Sequence, residues 1–341
     1  MTRQHDKRLE DEMKMIGCYV TGTLPRSKEL IEATRAHDRK KLSDKELEKA
    51  FEEDTLKVVK AQISTGLSYV TDGMLKWQDP FRPFTENLKG LKVGGLARWF
   101  NNNAFYRKPV VIDEIYREKN VIANLTYTKH LPMDIPWKAI LPAPYTFAKL
   151  SENKFYKDET ELMFKYAQIL RDEIESLTEI GFKYVQLSDP ALVYNPSREP
   201  ISKDVLASIR EVLKVAVRGA MVKTCLQTFF GDFSQILPEA LDFPVNDLGI
   251  DLYETNIEKL KEYNFEKGVA LGLLDSRNSL IEDEDELVMV AEEIIEPIYP
   301  SKICDVFICP NCDMEFLPWE RAEEKLKVIG KVAKRLKNEL S

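Results

Sequence analysis

One Cys-x-x-Cys occurs in the chain, Cys309-Pro310-Asn311-Cys312. Thiols at that spacing form half of a zinc site or a redox pair. No second pair accompanies them, which excludes a structural four-cysteine centre. Cys225 ends another apolar run. Together with Cys309, Cys312 and an acid, Glu254 or Asp251, it would supply a tetrahedral donor set for zinc. The plainer alternative is that Cys225 and Cys309 are buried strand residues, as free cysteines often are. The histidines are His5, His37 and His130, and none follows a strand-like run. A histidine general base and a Ser-His-Asp triad are therefore not expected.

Other polar clusters also follow apolar runs. Gly22-Thr23-Leu24-Pro25-Arg26 offers backbone N–H groups to an anion near a helix start, or is a simple strand-to-helix turn. Asp72-Gly73 ends a second run. Ser188-Asp189-Pro190 presents an acid to a substrate amino group, or makes an Asp-Pro turn. Asp275-Ser276-Arg277 offers a guanidinium fork to a carboxylate, or closes an internal ion pair. The candidate substrate-binding residues are thus Thr23, Arg26, Asp72, Ser188, Asp189, Asp275 and Arg277, and the candidate metal ligands are Cys312, Glu254, Cys225 and Cys309.

Scattered clusters act together only if the fold gathers them. Eight short strand-like runs pace the chain: 15–22, 67–72, 137–142, 183–187, 219–226, 247–252, 267–274 and 305–309. Helix-like stretches lie between most of them, at 27–38, 43–64, 158–180, 202–217, 233–241, 256–263, 283–295 and 318–340. Ser43 and Glu46 form a capping box, and Gly181 is a C-cap for the long amphipathic stretch before it. Strands separated by helices imply parallel pairing. Eight such units predict a (β/α)8 TIM barrel, whose strand ends share one face. Residues 79 to about 135 read as an accessory insertion after the second strand, with a hairpin formed by 109–115 and 121–126. Residues 1–14 read as a charged lead-in to a single barrel domain, 15–341. A doubly wound sheet is the fallback, but no Gly-x-Gly-x-x-Gly turn follows any strand.

The 341 residues are 44% apolar and 31% charged, with net charge -8. That balance fits a protein with a large core. It argues against a general binder of nucleic-acid phosphates. No apolar run reaches the length that spans a bilayer, and residues 1–12 lack the apolar region of a signal peptide. Five cysteines, an odd count, do not make a disulfide framework. A reducing cytoplasm is the expected compartment.

Several of these segments resemble one family in order. Tyr19-Val20-Thr21-Gly22-Thr23-Leu24-Pro25-Arg26 looks like the opening Gly-Ser-Phe-Pro-Arg motif of cobalamin-independent methionine synthases. Val185-Gln186-Leu187-Ser188-Asp189-Pro190-Ala191-Leu192 resembles their Gln-Ile-Asp-Glu-Pro-Ala-Leu. Gly272-Leu273-Leu274-Asp275-Ser276-Arg277 and Cys309-Pro310-Asn311-Cys312-Asp313 resemble two later motifs. The resemblance spans residues 15 to 335. It implies methyl transfer from a methylated tetrahydrofolate, or another donor in short archaeal-type members, to the thiol of homocysteine. In that family a zinc-bound thiolate is the nucleophile.

The departures from the pattern are specific. Gln227-Thr228-Phe229 stands where the resemblance expects His-x-Cys, and Met74 stands where it expects a glutamate. Cys312 alone matches a ligand cysteine, with Glu254 or Asp251 at the acid position. The Asp-Glu pair of the family reads Ser188-Asp189. Thr228-Phe229-Phe230-Gly231 and the run 244–252 look more like the N-terminal barrel of the long two-barrel enzymes. The resemblance therefore implies a methyltransferase. Its alternative is a non-catalytic, folate-binding or scaffolding subunit beside a second, zinc-bearing barrel.

Overall fold

The computed structural model describes residues 15–100, 104–197 and 199–340. The charged lead-in 1–14, with His5, lies outside them. In chain order the strands are β1 (Ile16–Cys18), β2 (Lys89–Ala97), β3 (Tyr106–Tyr116), β4 (Lys138–Pro142), β5 (Glu152–Asn153), β6 (Tyr184–Ser188), β7 (Lys223–Gln227), β8 (Asp247–Asp251), β9 (Gly268–Leu274) and β10 (Val306–Pro310). The longer helices are α1 (Lys28–Asp38), α2 (Asp44–Ser64), α3 (Glu159–Glu179), α4 (Lys203–Ala216), α5 (Glu284–Ile298) and α6 (Trp319–Glu339).

Seven strands form one parallel sheet in the order β1-β10-β9-β8-β7-β6-β4. Its strands are buried almost throughout, as expected when helices cover a parallel sheet. The sheet curls. Its two edges, β1 and β4, both bond to the segment 67–71. Ser68 N–H donates to Cys18 O at 2.8 Å, Lys138 N–H donates to Val70 O at 2.9 Å, and Val70 bridges Trp137 in parallel.

Local chemistry explains where the helices begin. The Ser43 side chain accepts from Glu46 N–H while Glu46 accepts from Ser43 N–H, so the capping box is real. Ser27, Asp158, Ser202 and Asp283 cap α1, α3, α4 and α5 through side-chain oxygens. Gly181, at φ 114°, takes the turn after α3 that other residues resist.

Two local expectations are corrected. The hairpin partner of β3 is β2, not 121–126, where a single helical turn, Ile122–Leu125, forms instead. Glycines 90, 94 and 95 interrupt the apolar alternation of β2, which conceals it. The stretch 233–241 is two 3-10 turns, Phe233–Ile236 and Glu239–Asp242, separated at Pro238, which has no N–H to continue a helix. Beyond the parallel sheet, β2, β3 and β5 form a small second sheet. It is tied down at Glu173 of α3, fully buried, whose carboxylate accepts from Val121 N–H, Ile122 N–H and Arg117.

Candidate functional site

A cavity of about 790 Å³, open solvent at its mouth included, lies beyond the C-terminal ends of β4, β6 and β7. Thr23, Ile140, Pro142, Ser188, Phe229 and Asp313 line it from the strand ends and the loops after them. The region around 77–106 supplies a second wall with Trp77, Asp79, Phe81 and Tyr106. Met74 and Phe230, also in the lining, have φ of 55° and 70°. Left-handed backbone is unfavourable for such side chains, and strain of this kind gathers at functional sites.

The most suggestive group is Asp189. It is fully buried at the end of β6. Its Oδ1 accepts from Thr146 N–H at 3.0 Å and from the Thr146 hydroxyl at 2.5 Å. Its Oδ2 has no partner. Burial pushes the carboxyl up to about 7, with the Thr146 bonds opposing. Two more orphan acceptors lie nearby in the register of the sheet. Gln186 donates to Thr21 O and to Ser188 Oγ, leaving Oε1 unpaired, and the Oε1 of Gln227, which pairs across from Ser188, is also unpaired. Buried acceptors without donors are costly unless a ligand or water completes them.

Other acids of this face are likewise raised by burial. Glu315, in the lining, goes up to about 7, helped by Asp313 and opposed by Arg26. Asp251 goes up to about 6 and accepts from Phe230 N–H and Tyr253 N–H, fixing the strained loop after β7. Asp313 is also raised; it accepts from Thr23 N–H at 2.7 Å.

The residues expected from sequence divide sharply. Thr23 and Ser188 line the cavity, and Asp189 lies directly behind Thr146, Ser188 and Pro190 of the lining. Arg26 is engaged elsewhere: its guanidinium donates to Leu75 O and Trp77 O and so shapes the loop that carries Met74 and Trp77. Asp72 accepts from Met74 N–H and faces a separate small cavity with Thr126 and Phe182. Arg277 is bonded to Asp275 and Glu254, and Asp275 also accepts from Asn278 and Asn311. That cluster is an internal ion-pair network and is absent from the cavity lining.

The three thiols do not converge on one point. Cys225 and Cys309 lie in the interior, packed with Tyr19, Tyr69, Tyr184 and Phe307. Lys138 shares that layer, fully buried, donating to Val20 O at 2.7 Å and sitting 3.3 Å from the Tyr19 ring centroid. Cys312 sits apart, with its thiol directed at Asp313 O. Desolvation pushes the thiol of Cys225 up to about 12 and that of Cys312 well above its usual value. Among the described residues no group of three or more His, Cys, Asp and Glu is arranged to hold a metal. With Gln227 and Phe229 in place of His-x-Cys and Glu254 bonded to Arg277, the residues present do not fit zinc.

Sequence reasoning missed Trp77, Asp79, Phe81, Tyr106, Thr146 and Glu315. Asp79, Phe81 and Tyr106 sit in 79–135, where hydrophobic period gives no signal. Asp313, directly after the Cys-x-x-Cys, was the one readable from its neighbours.

Comparison with known proteins places this geometry in context. The family model described as "Cobalamin-independent synthase, Catalytic domain" matches residues 16–335. A methionine synthase of Saccharolobus solfataricus is 30% identical, with 96% of this chain and 97% of that protein covered. One of Sulfurisphaera tokodaii is 27% identical, covering 97% and 95%. A B12-independent methionine synthase from Shewanella sp. W3-18-1, in complex with selenomethionine, superposes with a TM-score of 0.80 at 20% identity, covering 96% and 99%. A methyltransferase from Methanosarcina mazei superposes at 0.59 with 13% identity, covering 96% and 95%. At those identities the two structures speak for the fold alone. With the family model spanning nearly the whole chain, the chain belongs to the cobalamin-independent synthase family.

Proposed function

We propose that the chain is a methyltransferase that moves a methyl group from a methylated donor to the thiol of homocysteine, within the cavity at the strand ends. The observation that carries this is the unpaired Oδ2 of Asp189, buried behind Thr146 and Ser188 in the segment that matches the family's Gln-Ile-Asp-Glu-Pro motif. An amino acid's ammonium group would complete that carboxylate and ionise it. Thr23 and Ser188 offer hydroxyls to the rest of the amino acid. The thiol proton passes to a carboxylate of the mouth, and the sulfur takes the methyl group as the donor's bond breaks. A methylated tetrahydrofolate is one donor; a different methyl donor on the same scaffold is the other.

The same proposal treats 67–71 as an eighth stave closing a (β/α)8 barrel, with 79–135 as its insertion in a single domain. Arg26, Asp72, Asp275 and Arg277 then position the mouth and do not touch substrate. A second reading, a non-catalytic subunit holding donor beside a zinc-bearing barrel, is favoured by the missing His-x-Cys. The discriminating experiment supplies homocysteine and a panel of isotope-labelled methyl donors to the purified chain and detects labelled methionine by mass spectrometry. Methionine formed by the chain alone supports the enzyme. No product from any donor, with product only after a second barrel is added, supports the subunit.

A further inference from the structure

The cavity that faces Thr23 and Ser188 carries an unusual combination for its size. Its acids are Asp79, Asp313 and Glu315, and among the described residues no Lys, Arg or His lines it. Its aromatic rings come from two directions. Phe81 and Tyr106 meet edge to face, with centroids 5.4 Å apart, and Phe229 meets Phe230 at 90° and 4.7 Å. Trp77 is also in the lining. Asp79 is fixed by Phe81 N–H, Arg82 N–H and Arg107 N–H, and Asp313 by Thr23 N–H. Glu315 is partly buried, and no hydrogen bond from the described residues fixes its carboxyl. The opposing charge that acts on Glu315 is Arg26, which is outside the lining and committed to Leu75 O and Trp77 O.

We propose that this cavity takes an onium methyl donor, a sulfonium or quaternary ammonium ion, seated among the aromatic rings with Glu315 as its counter-charge. The proposal rests on the methyl-transfer reading of the cavity and names the donor class within it. Rings at right angles with a nearby carboxylate are the chemistry that recognises methylated cations. Such a donor also suits a site whose residues do not fit zinc, because the donor brings its own positive charge. The step balances without a further reactant. The thiol loses its proton to a carboxylate, the thiolate sulfur attacks the methyl carbon, and the carbon–sulfur or carbon–nitrogen bond of the onium breaks. Its electron pair leaves as a neutral thioether or tertiary amine. The net products are the methylated thiol, the neutral leaving molecule and one proton.

Isothermal titration of the intact chain tests this with choline and its neutral isostere 3,3-dimethylbutan-1-ol, and with homocysteine in a separate titration. Choline should bind at least about tenfold more tightly than the isostere. Glu315→Gln should remove about that factor for choline and leave the isostere unchanged; Trp77→Leu should weaken both. Equal affinity for the two compounds, or saturable binding of neither, would overturn the proposal, and the wild-type comparison holds even if a variant does not fold. Homocysteine binding without choline binding removes the onium donor and leaves the acceptor reading standing. Choline binding without homocysteine binding does the reverse. Deuterium-labelled trimethylsulfonium and glycine betaine then separate the two sources: labelled methionine from either supports the proposal and names the source. Onium binding with transfer from neither, or with transfer only from a methylated folate, refutes the donor role.

Discussion

Replacing Asp189 by Asn isolates the electrostatic cost on which the site depends. The carboxyl rises from an ordinary 3.8 to about 7, which corresponds to roughly 4 kcal/mol between its two protonation states. The sign follows from proton counting. Below about pH 4 the folded and unfolded chains both hold this proton. Between there and about pH 7 the unfolded chain has released it and the folded chain has not, so this group lowers stability as pH rises. Above that window its effect is constant. Asn has no such proton, and its Oδ1 can still accept from Thr146 N–H and the Thr146 hydroxyl. Urea unfolding of both proteins should therefore show the variant gaining about 2 to 3 kcal/mol relative to wild type between pH 5 and pH 8. The other acids cancel in the difference. Function should move the opposite way. Homocysteine affinity of the wild type should rise from pH 5 to pH 7.5, and the variant should bind roughly ten- to a hundredfold more weakly with no such rise. A stability difference independent of pH would refute the assignment of a buried, poorly paired carboxyl at this position.

Two further perturbations test the frame around the site. Lys138 is fully buried, and burial lowers it from 10.5 to about 7. The unfolded chain then holds a proton that the folded chain lacks, so its contribution to stability should improve with pH between 7 and 10, by about 2 kcal/mol from pH 7 to 9 relative to Lys138→Met. A pH-independent difference in denaturant titrations would contradict it. A Cβ on Gly231 would lie 2.1 Å from Val193 O, a backbone atom that cannot swing aside. Gly231→Ala should cost about 1 to 3 kcal/mol and weaken ligand binding by shifting Phe230, and wild-type stability in thermal unfolding would count against that close approach.

How much of this was legible depended on whether the information was local. Ser43 with Glu46, Ser202 and Gly181 announce helix ends through groups within one turn, and those ends are where the chain places them. The order of parallel strands followed from the helices between them. Pairing between distant residues was not legible. Arg277 was a fork for any carboxylate, and the fold gives it Asp275 and Glu254 of its own chain. Arg26 went to backbone carbonyls of the loop after residue 72. Cys225 and Cys309 lie on strands on opposite flanks of β8 and β9, and the sequence does not say that they meet in one interior layer with Tyr19, Tyr69, Tyr184 and Phe307. The aromatic wall was hidden because the region 77–106 carries no clear helical or strand period, although Phe81, Phe84 and Tyr106 join the buried core.

The central claim is that Asp189 receives the amino group of homocysteine in this cavity. Crystals of the wild-type chain grown with homocysteine would test it most directly. The account predicts the amino nitrogen within hydrogen-bonding distance of Asp189 Oδ2, with the thiol directed toward the Phe229 and Glu315 side of the cavity. Homocysteine bound elsewhere, or a cavity in which Asp189 Oδ2 pairs with another protein group, would contradict it.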